Sequence, residues 1–338
     1  MPSFLTGVVA DVLSERTGLQ RVHVDLGAGP ERAYVLTQLT GPVRAGDRVV
    51  VNTTAVELGL GTGGWHVVHW NLARDSFSSS QPGHVMKLRY TSLQVDVGAA
   101  DALAGDDTDL GGMPVVVAGL HSQVAAVAVA FKHLRPDARV VYVMTDGGAL
   151  PLAVSDLVFA LREKRLLDAT VTCGHAFGGD YEAVNIASAL AIARHVTRAD
   201  AVVVAMGPGG VGTGTSLGFS GLEMGAALDA AGALGGLPVA VLRVSDVDPR
   251  ERHRGLSHHT RTALTIATHV RARIAIPQGL LVDGLDRHEL VPAAPVGIVA
   301  LMADAGLDVT SMGRPAADDP ILFECAGAAG VLAAELLP

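Results

Sequence analysis

The sequence predicts an α/β protein in which a small N-terminal β-barrel-like domain precedes a mostly parallel sheet flanked by helices, a Rossmann-like three-layer arrangement. Three observations predict it. Short β-type runs separated by turn signals fill the chain from Leu5 to about Val97. From Met113 onward, apolar strand-like runs alternate with helical stretches, the rhythm of a parallel sheet wrapped by helices. Runs such as Ala201–Met206 are continuously apolar rather than alternating, as strands covered on both faces must be. The expected division is 1–97 for the barrel, 98–112 for a linker and 113–338 for an α/β ligand-binding or catalytic domain.

The N-terminal runs are LTGVVADVLSE, QRVHVDLG, RAYVLTQL, GDRVVVNTTAVEL, WHVVHWNL and VMKLRYTSLQVDV. Val22 and Val24 alternate with Arg21, His23 and Asp25, so the two valines share one face. Strands this short and this regularly spaced suit a small barrel or sandwich. Residues 98–112 are small, acidic and aperiodic, which reads as a linker. Beyond it, strands are expected at 114–119, 139–144, 170–172, 201–205, 238–243 and 273–276. Helices are expected from Ser122, Leu152, Tyr181, Gly221 and about His258, with a later pair near Val296 and Pro320.

Composition excludes several classes. Of 338 residues, 49% are hydrophobic and only 17% charged, and the mean hydropathy of +0.37 raises the question of a membrane. The longest candidate span, Met113 to Phe131, is broken by His121, Ser122 and Gln123, and the run from Ala201 is broken by glycines, so no membrane partner is expected. Buried parallel strands account for the apolarity, which also favours self-association as a homo-oligomer, a dimer in the simplest case. A net charge of −9 with 4% aromatics lacks the cationic footprint and stacking platforms of a nucleic-acid binder, so nucleic acid is not an expected partner. The first residues lack a secretory pattern and only Cys173 and Cys325 occur, which points to a cytoplasmic protein without a disulfide framework.

Ligands of open parallel sheets sit at the carboxyl ends of the strands, and there this sequence is polar. His121 and Ser122 follow the first strand, Thr145-Asp146-Gly147-Gly148 the second, Gly174-His175 and Gly178-Gly179-Asp180 the third. The fourth opens into GPGGVGTGTSLGFSGLE, and the fifth leads to Ser245, Asp246 and the basic segment Arg250 to His259. Glycine-rich backbone before a helix start suits an anion, so Gly207, Gly209, Gly210, Gly212, Thr213, Gly214 and Thr215 are the expected ligand loop, with Arg254 neutralising the charge. His121, Asp146 and His175 are the expected acid–base groups. Capping is the competing account for Ser122 and Asp180, and Ser220 with Glu223 stands at capping-box spacing. A divalent metal is the alternative cofactor, with His121, His175, Asp180 and His258 as ligands. His258 and His259 are adjacent, so at most one of them is expected to enter a shared site.

Familiar motifs fit poorly. Gly207 to Gly212 formally satisfies G-x-G-x-x-G, but the helix start is delayed to about Ser220. No Gly-Lys-Ser/Thr occurs, and Gly218-Phe219-Ser220-Gly221 lacks the spacing of a nucleophile elbow. Several long blocks, in order, carry a family resemblance: NTTAVELGLGTGG, GHVMKLRYTSLQ, VMTDGGALPLAVSD, TCGHAFGGDYEAVN, GPGGVGTGTSLGFSGLE, HRGLSHHT and VTSMGRP. Through nearly its whole length the chain resembles a bacterial family catalogued as domain of unknown function 3866. That resemblance implies a shared design and no particular chemistry.

The function expected from the residues is an enzyme binding a small anionic metabolite, phosphorylated or nucleotide-like, at the carboxyl edge of the sheet. A metal-dependent hydrolase using strand-end His and Asp, and a non-enzymatic ligand sensor or scaffold, are the alternatives.

Overall fold

The computed structural model describes residues 1–79, 83–294 and 296–338. The chain divides into two compact units, Met1–Gly98 and Ala99–Pro338.

The first unit is a closed barrel. Its strands are β1 (Phe4–Arg16), β2 (Leu19–Asp25), β3 (Pro30–Leu36), β4 (Arg48–Asn52) and β5 (His66–Asn71), in the order β1-β2-β3-β5-β4. β3 and β5 run parallel, the other pairs antiparallel, giving a five-stranded Greek-key barrel. β1 closes it by pairing with β4 through Phe4 to Val8 and with β2 from Val8 onward. Register shifts at Val9/Asp11 and Val12/Ser14 bend β1 enough to serve both partners. The alternation expected at Val22 and Val24 points both inward, where they pack with Val9, Ala33, Val35, Val49, Val51 and Val68. A hairpin of β6 (Val85–Lys87) and β7 (Val95–Val97) completes the unit.

The second unit is built on an eight-stranded parallel sheet. In chain order its strands are β8 (Pro114–Val117), β9 (Val140–Thr145), β10 (Ala169–Thr172), β11 (Tyr181–Glu182), β12 (Ala201–Met206) and β13 (Leu237–Ala240). After a small hairpin, β14 (Val244–Ser245) with β15 (Gly255–Leu256), come β16 (Arg273–Pro277) and β17 (Glu289–Ala293). A last hairpin pairs β18 (Thr310–Ser311) with β19 (Arg314–Pro315). The spatial order is β11-β10-β9-β12-β8-β13-β16-β17. Every residue of β8, β9, β10 and β12 is buried, which explains the unbroken apolar sequences of β8 and β12. Along β12, Ala201, Val203 and Ala205 face one layer, with helices Gln123–Leu134, Ile298–Asp304 and Pro320–Glu335. Val202 and Val204 face the other, with helices Ile186–Ala191 and Met224–Ala233.

Three sequence expectations change. Residues 99–112 are not a free linker but part of the second unit, where Leu110 is fully buried and its N–H donates to Leu234 O (2.8 Å). The helix expected from Tyr181 starts at Ile186, behind an Asn185–Ser188 capping box, and Tyr181–Glu182 is an edge strand. β17 was hidden by Pro292, which an edge strand tolerates because its outer N–H faces no neighbour. No helix among the described residues is long and apolar enough to cross a membrane.

Helices Gln123–Leu134 and Pro320–Glu335 approach closely at Gly330, where a Cβ would lie 2.4 Å from Val127 O. Gly330→Ala is predicted to destabilise the protein by about 1–2 kcal/mol in chemical denaturation, because overpacking against backbone outweighs the better helix propensity of alanine.

Candidate functional site

Neighbouring strands β8 and β12 send their chains to opposite layers, since helix Gln123–Leu134 packs on one face and Met224–Ala233 on the other. The loops that leave them diverge and open a crevice at the carboxyl edge, the position at which parallel sheets bind ligands. A cavity of about 340 Å³ occupies it, within the range of small-molecule sites (roughly 300–1,000 Å³). One wall is the turn Gly119 to Ser122, another the glycine loop, and a third holds Arg243, Arg250, Arg252, His253 and His259.

The glycine loop is built in two parts. At its base, backbone meets backbone. Ala149 N–H donates to Pro208 O (2.7 Å), a Cβ on Gly207 would lie 2.3 Å from Ala149 O, and one on Gly148 2.2 Å from Gly207 O. Glycine at 148 and 207 is therefore a packing requirement. Farther out the chain folds into a small exposed arm. Thr213 N–H donates to Gly218 O (2.8 Å), Ser220 N–H to Val211 O (2.9 Å), and Val211 N–H to Ser220 Oγ (3.0 Å). Among the described residues the N–H groups of Gly209, Gly210 and Gly212 have no acceptor within the chain, and all three glycines line the cavity. Thr213 and Thr215 do not line it. Their hydroxyls bond each other (3.0 Å) and the Gly218 backbone, stabilising the arm's tip.

Ser220 thus ties the arm to its base and does not cap a helix. Phe219 occupies the N-cap position without a side-chain cap, and Glu223 turns the other way to accept from Thr145 Oγ1. Burial raises the Glu223 carboxyl above its usual range. Ser122 likewise makes no cap; its hydroxyl donates to Ser311 Oγ (3.0 Å).

Of the expected acid–base groups, only His121 reaches the cavity. Its Nδ1 lies 3.1 Å from Met206 O and its Nε2 2.7 Å from Ser155 Oγ. Tyr142 gives its hydroxyl proton to the Ala205 and Met206 carbonyls, so the network places the imidazole proton on Nδ1 and leaves Nε2 to accept from Ser155. Burial pushes His121 down to about 4, so the ring is neutral at physiological pH. Asp146 and His175 lie elsewhere on the edge, where the exposed Asp146 carboxylate accepts the His175 backbone N–H (2.8 Å). Asp180 accepts from Thr170 N–H (2.8 Å) and pairs with Arg162 (3.1 Å), tying an edge strand to its neighbour. The structure therefore does not bring His121, His175, Asp180 and His258 together. Among the described residues the close set of metal-ligating groups is His253, His258 and His259.

The cationic wall is organised by a fully buried carboxylate. Asp248 accepts from Arg250 Nε and Nη2 (both 2.9 Å), with Arg314 Nη2 at 3.4 Å and Arg243 Nη2 at 3.6 Å. These bonds hold its carboxyl far below the usual carboxylate range. Asp319, also buried, accepts from Arg314 Nη2 (3.0 Å) and Ser245 Oγ (2.7 Å). Burial lowers Arg243 to about 10, which leaves it charged at neutral pH. Arg252 makes no ion pair among the described residues and lies beside Gly214, whose Cβ position is 3.7 Å from its guanidinium carbon. Four guanidinium groups against two carboxylates leave this wall positive. Burial and those arginines also push His253 down to about 4 and His259 to about 3, so both rings are neutral. Arg254 points away, exposed and donating to Asp248 O (3.4 Å). The 3-10 turn Glu251–His253 breaks the alternation that would have placed it beside Arg250 and Arg252.

Sequence reading missed Arg243 and His253. Each is buried and follows or precedes a two-residue strand too short to leave a periodic signal. The adjacent His258 and His259 both join the cluster, with ring centroids 4.4 Å apart. They share it because His253 comes from a separate turn and meets both rings, at 4.9 and 4.7 Å.

The fold and site define a two-unit α/β chain with an arginine-lined cavity at the crossing of two sheet connections. Residues 32–330 match the model of a protein family of unknown function, DUF3866, and the chain belongs to that family. No curated protein and no solved structure matches the chain.

Neutral His121 predicts a pH dependence. Its folded pKa lies below the ordinary 6.5, so the unfolded chain binds the extra proton between about 6.5 and about 4. The contribution is complete above that window and lost as pH falls through it, ~3 kcal/mol in all. Urea unfolding across the window should show stability falling with pH, and His121→Gln should flatten that fall.

Proposed function

We infer that the chain is an enzyme that binds a small anionic metabolite, phosphorylated or nucleotide-like, in the cavity at the β8–β12 crossing. One observation carries this reading: Arg243, Arg250 and Arg252 line the same cavity as the uncommitted N–H groups of Gly209, Gly210 and Gly212. Guanidinium groups and convergent backbone N–H groups are both recurrent devices for holding a phosphate or carboxylate. Arg250 is pre-positioned by its bidentate bond to Asp248, so little side-chain freedom is lost when an anion arrives. His121 is the acid–base group on the opposite wall, its Nε2 linked to Ser155.

In this reading the protein works in the cytoplasm as a homo-oligomer, a dimer in the simplest case. Supporting self-association, Phe4, Leu5, Val8, Val12 and Leu13 of β1 are exposed apolar side chains on the barrel. Turnover of the bound metabolite separates an enzyme from a sensor.

Arg252→Ala is the cleanest test, because Arg252 supports no ion pair among the described residues. Calorimetric titration with inorganic pyrophosphate and a panel of nucleotides and sugar phosphates is expected to show saturable binding to the wild-type protein. Affinity should fall about 10- to 100-fold in Arg252→Ala, the value of one charged hydrogen bond. Gly212→Val, which crowds Phe219 and the cavity, should also weaken binding. An unchanged affinity in both variants, or no binding to any of the panel, would refute the assignment.

A further inference from the structure

The three histidines beside the arginine wall are not explained by packing alone. One donor atom from each of His253, His258 and His259 lies within 4.8 Å of the other two. No hydrogen bond joins any two of these rings among the described residues, although their centroids lie 4.4 to 4.9 Å apart. His258 Nε2 is a buried nitrogen with no hydrogen-bond partner, which is costly unless something occupies it. His253 has Nδ1 held by Ser257 Oγ at 2.7 Å, which leaves Nε2 as its available donor. A second hydrogen bond of this kind orients most metal-ligating imidazoles. Phe219 stacks on His259 with centroids 3.8 Å apart and planes 3° from parallel, fixing that ring as well.

We propose that His253, His258 and His259 form a binding site for a divalent first-row metal ion, with Zn²⁺ the best match, and that this metal and the anion in the arginine cavity bind cooperatively. Three imidazoles with one open position form a common set for catalytic zinc. His253 and His259 line the cavity, so the open position faces the anion. Arg243 Nη1 lies only 3.3 Å from His259 Nδ1. A divalent cation here meets the field of Arg243, Arg250 and Arg252, and an anion between them relieves that repulsion from both sides. An anion in the cavity offers the Arg243 guanidinium a better acceptor than His259 Nδ1. The cooperative part rests on the reading of the cavity as an anion site; the metal part does not.

The test uses the full-length protein stripped of metal. Zn²⁺ titration should give one equivalent bound, and Co²⁺ should give the visible absorption of a low-coordinate nitrogen site. Both should be lost in His258→Ala and in His253→Gln, with circular dichroism confirming the fold, and kept in the surface variant His269→Ala. Inorganic phosphate should tighten Zn²⁺ about tenfold, Zn²⁺ should tighten phosphate by the same factor, and phosphate should shift the Co²⁺ spectrum. Should phosphate bind the metal-free protein while Zn²⁺ finds no stoichiometric site, the metal proposal fails and the anion reading stands. Zinc bound at the three histidines without any phosphate affinity would leave the metal and overturn the anion site and its coupling. Zinc that persists in His258→Ala but disappears in His175→Ala would overturn the assignment of ligands.

Discussion

Parallel strands joined through helices leave the sheet with one hand, so the direction in which a chain departs decides the face its helix covers. In this fold β8 and β12 are neighbours, yet β8 leads toward β9 and β12 toward β13, each connection passing beyond the other's strand. Their helices must lie on opposite layers, and the turns that begin them must separate. The cavity is the space between those turns. Residues distant in sequence, from His121 to Gly212 to Arg243, line it because of that crossing.

Within the crevice, two different solutions to close contact stand side by side. Near Gly207 and Gly148, glycine permits backbone to pack directly on backbone at the loop base. Beyond Gly209 the arm is tied down by Ser220 and its own threonines while its cavity-facing N–H groups stay uncommitted. The opposite wall relies on Asp248, which gathers three arginines at the cost of its own desolvation. Removing such a carboxylate would take the ion pair from the buried Arg243 guanidinium, a change typically worth several kcal/mol, so Asp248 serves the fold and the site together.

Much of the architecture was legible in the sequence because burial on both faces writes continuous apolar runs, as in Ala201–Met206, and half-burial writes alternation, as in Val22 and Val24. Edge elements were not, since Tyr181–Glu182 is two residues long and Glu289–Ala293 carries a proline. The polar strand ends were recognised as a group, but which of them meet depends on strand order, which local pattern does not encode. His121 and the glycines share the crevice because β8 and β12 are adjacent; Asp146, His175 and Asp180 follow β9 and β10, farther along the edge. Ser220 and Glu223 had capping spacing, yet each found a stronger partner in Val211 and Thr145. The arginine choice turned on one 3-10 turn, which exposes Arg254 and directs Arg250 and Arg252 to the cavity.

Hydrogen exchange with and without a saturating nucleoside diphosphate tests the placement of the site most directly. The account predicts slower exchange in residues 207–214 and 250–259 together, the two walls that converge on the cavity. Protection confined to residues 146–149 and 174–182, or no protection anywhere, would contradict it.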